Sequence, residues 1–206
     1  MHKKTKLIIL TVLIIFLIFI CFDKENDDNI IYISDFLDKK DYQKLLSLNN
    51  DKDTFIYEKF RYIKPLEEEH IYHIFYNDKY LNKIQRKLNN KIYQSDFPIE
   101  HRIYPKESKG MAPHIDTLLY QKPQYEAVYT IRNKSNSLTK WKDDKGKLHS
   151  KWTEPNSLMI VKAQGYEHFV TPPEIGEREI LKLIYTQTNQ TNQNYEKEMK
   201  RFNRFK

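Results

Sequence analysis

From Pro98 onward the chain reads as a series of short segments: "IEHRIYP", "PHIDTLLY", "YEAVYTIR", "LTKW", "SLMIV", "HFV" and "REILKLIYT". Alternating or β-branched runs of this length, separated by turn residues, are strand signals. Regular short strands arriving after two helical stretches restrict the body to a β-sandwich or barrel with helices packed on one side. The stretch "WKDDKGKLHSKW" predicts a hairpin turning around Asp144–Lys145–Gly146.

Upstream, "IIYISDFLDKKDYQKLLSL" predicts a short strand, a turn and a helix. Asp38 can cap that helix, and Tyr42, Leu45, Leu46 and Leu48 give it an apolar face. A second helical stretch is expected from Leu66 to Leu88, interrupted near Asn77–Asp78, with Glu67 to Glu69 suited to a first turn. The polar end, residues 189–206, is expected to be a mobile or weakly helical basic tail. The 206 residues suffice for one compact domain with a sizeable core, placed at residues 29–188.

Residues 1–28 have a different character. Leu7 to Phe22 form an apolar run of 16 residues broken only by Thr11, preceded by Lys3, Lys4 and Lys6. As a helix it spans about 24 Å, short of the roughly 30 Å hydrocarbon core by an amount that local thinning or snorkelling covers. A cleaved signal peptide is the rival reading, but "FICFDKE" has no small-residue cleavage step. The expectation is one transmembrane signal anchor. The preceding lysines hold the N-terminus in the cytoplasm and put the body on the lumenal or extracytoplasmic side.

Composition removes several chemistries. Gly110, Gly146, Gly165 and Gly176 are too scattered for a dinucleotide fingerprint or a phosphate-cradling loop. Cys21 is the only cysteine, so no intrachain disulfide, CxxC pair or cysteine zinc site can form. The formal charge of +7 suits an acidic partner; one dense basic block interleaved with aromatics stands out, "KEMKRFNRFK", and it reads better as a solvated helical tail than as a nucleic-acid surface.

What remains is "GMAPHIDTLLYQ". Residues i and i+2 of a strand share a face, so His114 and Asp116 would project together with Ile115 turned away. A second histidine would complete two His and one carboxylate on a metal, leaving positions open for substrate and oxygen. His168, 52 residues after Asp116, is the candidate. Ten residues further on, Arg178 offers a guanidinium for bidentate capture of a carboxylate. Lys182 shares its strand parity and is the competing anchor.

The pattern His114-x-Asp116, with His168-x-x-x-Pro172-x-x-x-Gly176-x-Arg178, resembles the Fe(II)- and 2-oxoglutarate-dependent dioxygenases and, within them, the prolyl 4-hydroxylase-like branch. The similarity runs from about Ile30 to Thr186. It implies a mainly β, α+β architecture: a double-stranded β-helix, or jelly roll, with supporting N-terminal helices. It also implies Fe(II) on His114, Asp116 and His168, with 2-oxoglutarate and O2 as co-substrates and ascorbate as an optional addition. Tyr104, ten residues before His114, matches a family tyrosine that contacts the co-substrate. In "YEAVYTIRN" the inward set is either Ala127, Tyr129 and Ile131 or Val128 and Thr130; counting back from Asn133 favours the first and makes Tyr129 a pocket residue.

The implied activity is hydroxylation of a C–H bond, on a prolyl or lysyl side chain of a peptide or protein, with release of succinate and CO2. The rival from another class is a non-catalytic jelly-roll binding module tethered to a membrane.

Overall fold

The structure, a computed structural model, describes residues 29–202. The expected membrane span at Leu7–Phe22 lies outside the described residues. Among them, no helix is long and apolar enough to cross a membrane.

Strand β1 (Ile30–Ile33) leads into helix α1 (Lys39–Leu46), then the β2 (Ile56–Glu58) and β3 (Arg61–Pro65) hairpin. Helices α2 (Glu69–Tyr76) and α3 (Asp78–Leu88) follow. The β-rich half comprises β4 (Tyr93–Gln94), β5 (Glu100–Tyr104), β6 (Met111–His114), β7 (Tyr125–Asn133), β8 (Thr139–Lys142), β9 (Leu148–Lys151), β10 (Ser157–Lys162), β11 (His168–Val170) and β12 (Arg178–Thr186), and helix α4 (Gln193–Phe202) closes the described chain.

Local chemistry sets the helix boundaries. The Asp38 side chain accepts the Asp41 N–H and caps α1. Asn77 accepts the Tyr80 N–H and separates α2 from α3, where the sequence signalled an interruption. Asn89, at φ 51°, ends α3 in the left-handed region.

The strands form two antiparallel sheets, a jelly-roll arrangement. One has the order β1-β10-β7-β12-β5-β3-β2, with β4 paired to β12; the other has the order β6-β11-β8-β9. Ala127, Tyr129, Leu158, Ile160, Leu181, Leu183 and Tyr185 face α1–α3 in one continuous apolar core. There Phe36 packs against Phe75, Tyr80 and Tyr129, with ring centroids 5.3–6.3 Å apart. Each such buried side chain contributes about 1.5–3 kcal/mol, so the helix side supplies most of the stability. The opposite face of the large sheet looks into a cavity shared with the small sheet.

Two features differ from expectation. The polar end is a packed helix: Tyr195, Met199 and Phe202 of α4 lie against Phe97, Leu119, Tyr120 and Ile184. Their i, i+4, i+7 spacing gives a narrow apolar stripe that the surrounding Asn, Gln, Lys and Glu residues hide in composition. The second difference is an irregularity in β7. Arg132 pairs with Glu179 but Thr130 pairs with Ile180, leaving Ile131 as an extra residue, a β-bulge.

Candidate active site

Strands β6 and β11 lie side by side, and His114 stands opposite His168 in their register. Ring centroids of the two imidazoles are 4.3 Å apart. Asp116 follows just past the end of β6, and Ile115 between them is 53% exposed. Nε2 of His114 lies 3.5 Å from one Asp116 oxygen and Nε2 of His168 lies 3.6 Å from the other. One donor atom from each residue falls within 4.8 Å of the other two, a spacing that can enclose a metal ion.

The backbone prepares these donors. Nδ1 of His114 is 2.8 Å from the Ala112 carbonyl, and Nδ1 of His168 is 3.1 Å from the Tyr166 carbonyl. A carbonyl only accepts, so each Nδ1 carries the hydrogen and each Nε2 turns a lone pair toward the shared centre. Burial alone would raise the Asp116 pKa, but His114, Lys182 and His168 outweigh it and hold the carboxyl below its ordinary range. His114 is correspondingly raised, chiefly by its bond to Asp116. Gly110, at φ +69°, lets the approach to β6 pass against β11, since a Cβ there would overlap the Val170 carbonyl.

The three donors open into a cavity of about 340 Å³ lined by both sheets. Arg178 and Tyr104 are cross-strand partners on its wall. Arg178 is only 4% exposed, and its buried Nε has no hydrogen-bond partner among the described residues. Burial pushes this guanidinium below its usual pKa. Tyr104 is also buried, yet Arg102, Arg61 and Arg178 together overcome the effect of burial and lower its pKa. The surroundings of Tyr104 are therefore prepared for negative charge.

Lys182 faces the same cavity, as its parity predicts, but its Nζ lies 2.5 Å from the Glu126 carboxylate. Glu126 overcomes the effect of burial and raises its pKa. Both cations point inward; one is already neutralised and the other is not. Arg178 is thus the cation with capacity for a carboxylate.

Tyr129 requires a correction. It lies in the helix-side core, wholly buried, with its hydroxyl 2.8 Å from Asn156 Oδ1. The bulge is the reason: Asn133 pairs with Arg178 and Thr130 with Ile180, so two residues three apart share the cavity side. Counting back in twos from Asn133 crosses the bulge and reverses the faces. Glu126 and Val128 line the cavity instead.

Sequence reasoning missed several other cavity residues, among them Arg61, Arg102, Glu126 and Arg201. A signal existed in "EHRIY", where Glu100, Arg102 and Tyr104 alternate polar groups along a fully buried strand. His101 is completely buried and 2.8 Å from Glu179. Trp141 stacks on His149, and Trp152 donates to the Ser135 carbonyl, so both indoles have structural contacts.

No protein-family model and no curated protein sequence matches the chain. Solved structures do match in fold. An oxidoreductase of the 2OG-Fe(II) oxygenase family from Burkholderia pseudomallei is 10% identical, with a TM-score of 0.67, covering 81% of this chain and 88% of its own. A prolyl hydroxylase from Trichoplax adhaerens, in complex with a hypoxia inducible factor oxygen degradation domain peptide fragment, is 16% identical, with a TM-score of 0.58, over 78% of this chain and 84% of its own. A Pseudomonas putida prolyl-4-hydroxylase has the same identity and TM-score, over 78% of this chain and 93% of its own. The chain therefore has the fold of the 2OG-Fe(II) oxygenases, prolyl hydroxylases among them.

Proposed function

We propose that the protein is an Fe(II)- and 2-oxoglutarate-dependent dioxygenase that hydroxylates a C–H bond, releasing succinate and CO2. His114, Asp116 and His168 would hold the metal. Arg178, assisted by Tyr104, would hold the distal carboxylate of 2-oxoglutarate. A bound metal would supply oxygen activation, and a set of three protein ligands would leave room for a keto acid and O2.

The observation that carries this reading is the unpartnered, buried Arg178 in the same cavity as the three donors. An isolated buried guanidinium is costly unless an anion arrives to pair with it. A dicarboxylate that bridges metal and guanidinium satisfies both ends at once.

The substrate we assign is a peptidyl prolyl or lysyl side chain. The peptide bound to the similar prolyl hydroxylase of T. adhaerens supports this choice. We also assign residues Leu7–Phe22 to a membrane anchor with the catalytic body outside the cytoplasm, on the strength of the apolar run and the lysines before it. Protease digestion of sealed membranes tests that topology: a body cut from the cytoplasmic face refutes it.

The decisive measurement is anaerobic addition of Fe(II) and 2-oxoglutarate to the purified protein. The expected outcome is a weak visible charge-transfer band, followed by succinate formation when air and substrate are admitted. Absence of both would leave only a non-catalytic domain with this fold.

A further inference from the structure

Among the described residues, five cationic side chains line the cavity: Arg61, Arg102, Arg178, Lys182 and Arg201. Three have carboxylate partners. Arg102 donates twice to one Glu100 oxygen, at 2.7 and 3.0 Å. Lys182 meets Glu126 at 2.5 Å, and Arg201 meets Glu198 at 3.1 Å. Arg178 and Arg61 have no carboxylate at ion-pair distance among the described residues, although Glu58 stands opposite Arg61 in the β2–β3 register and Glu100 attracts it from further off; the buried Nε of each lacks any hydrogen-bond partner.

The two flank one phenol. Arg178 is the strand partner of Tyr104, and the Arg61 guanidinium lies 5.9 Å from the centre of the Tyr104 ring. A single distal carboxylate, taken by Arg178, leaves Arg61 without an ion-pair partner of its own. The two also differ in access. Arg178 is almost wholly enclosed, whereas Arg61 is half-buried on the β2–β3 hairpin, beside Phe60, which is 41% exposed. Arg61 is therefore the more accessible of the two.

We propose that Arg61 is a second anion-binding arm of the cavity and takes a carboxylate of the molecule that is oxidised. The substrate thus carries a carboxylate, either the C-terminal carboxylate of a short peptide or an acidic side chain within a longer one. The anion arm stands on its own geometry; its link to an oxidised substrate rests on the function proposed above.

Crystals of the protein with Mn(II) and bromide, grown with and without 2-oxoglutarate, test the arm by anomalous scattering. The expected result is bromide at Arg61 that persists when 2-oxoglutarate occupies the Arg178 end, and that is lost in Arg61→Gln. Bromide only at Arg178, displaced by 2-oxoglutarate, would overturn the proposal. Bromide at Arg61 with no 2-oxoglutarate bound anywhere would instead sink the oxygenase reading and leave the anion arm intact.

Calorimetric titration of the Mn(II)- and 2-oxoglutarate-loaded protein with N-acetylglycine and with acetyl-Ala-Glu-Ala-amide separates the two sources of the carboxylate. One of them should bind at least about tenfold more tightly than its neutral amide or Gln counterpart. Arg61→Gln should abolish that difference while Arg61→Lys keeps most of it. Binding of neither acid, or a loss of 2-oxoglutarate affinity in Arg61→Gln as large as in Arg178→Gln, refutes the assignment.

Discussion

Arg178 and Lys182 lie on the same face of β12, yet only Lys182 has a carboxylate beside it, that of Glu126. Four residues apart on one strand, they are a spent charge and an available one. Replacing Arg178 should therefore act oppositely on the free and the loaded protein. Arg178→Met should raise the unfolding free energy of the ligand-free protein by about 1–3 kcal/mol, read as a higher denaturation midpoint, since a lone buried charge is removed. The same change should weaken 2-oxoglutarate binding by at least about 2 kcal/mol, roughly thirtyfold, as read by titration of the charge-transfer band. A variant less stable without ligand would show that Arg178 has a partner in the free protein.

Glu126 should behave as the other half of that contrast. Glu126→Gln leaves Lys182 without its counter-charge in a buried setting and should cost about 3–5 kcal/mol of folding free energy. Adding Lys182→Met should recover most of the loss, and a double-mutant cycle in urea measures it. Additive losses would mean that the pair does not act as a unit.

His114 is partly exposed and contributes little to the core, so His114→Ala should fold normally. Co(II) or Mn(II) should raise the melting temperature of the wild-type protein and leave that of His114→Ala unchanged. Equal metal-induced shifts in the two proteins would remove His114 from the ligand set.

Asp38 gives the pH prediction. Lys79, with help from the Asp41 N–H, lowers its carboxyl pKa to about 2 from an ordinary 3.8. A depressed folded-state pKa means that the ionised group stabilises the fold above pH 3.8 and that this contribution fades as pH falls toward 2. Asp38→Asn keeps a capping side chain but loses the charge. The stability gap between wild type and Asp38→Asn should therefore narrow between about pH 4 and pH 2. A gap that does not change with pH would assign the effect to capping alone.

Gly176, at φ +59°, turns the chain two residues before Arg178, and a Cβ there would overlap the Lys134 carbonyl. Gly176→Ala should destabilise the protein by about 1–3 kcal/mol. It should also weaken 2-oxoglutarate binding measurably, because β12 begins at the displaced end. Unchanged binding in a destabilised variant would separate the turn from the site.

Much of this was legible in the sequence, and the failures have physical causes. The strands announced themselves by alternation, and the histidines and aspartate by their spacing, which antiparallel pairing converts into proximity. Parity correctly turned both Arg178 and Lys182 inward but could not choose between them, because the choice depends on Glu126, 52 residues before Arg178 in the chain. Tyr129 was misplaced because one extra residue, Ile131, reverses the alternation and has no local signature. The sequence allowed a weak helix at α4 but not its docking, because three apolar side chains suffice to pack it amid polar neighbours.

The apolar core lies on the helix side of the large sheet, whereas the cavity wall between the sheets is rich in opposed charges. The portion that secures the fold is thus largely separate from the portion that would meet a ligand. Interior charges exchanged in matched couples would alter what the cavity admits while sparing the scaffold. Such a division of labour allows one architecture to be retuned for new chemistry without first being rebuilt.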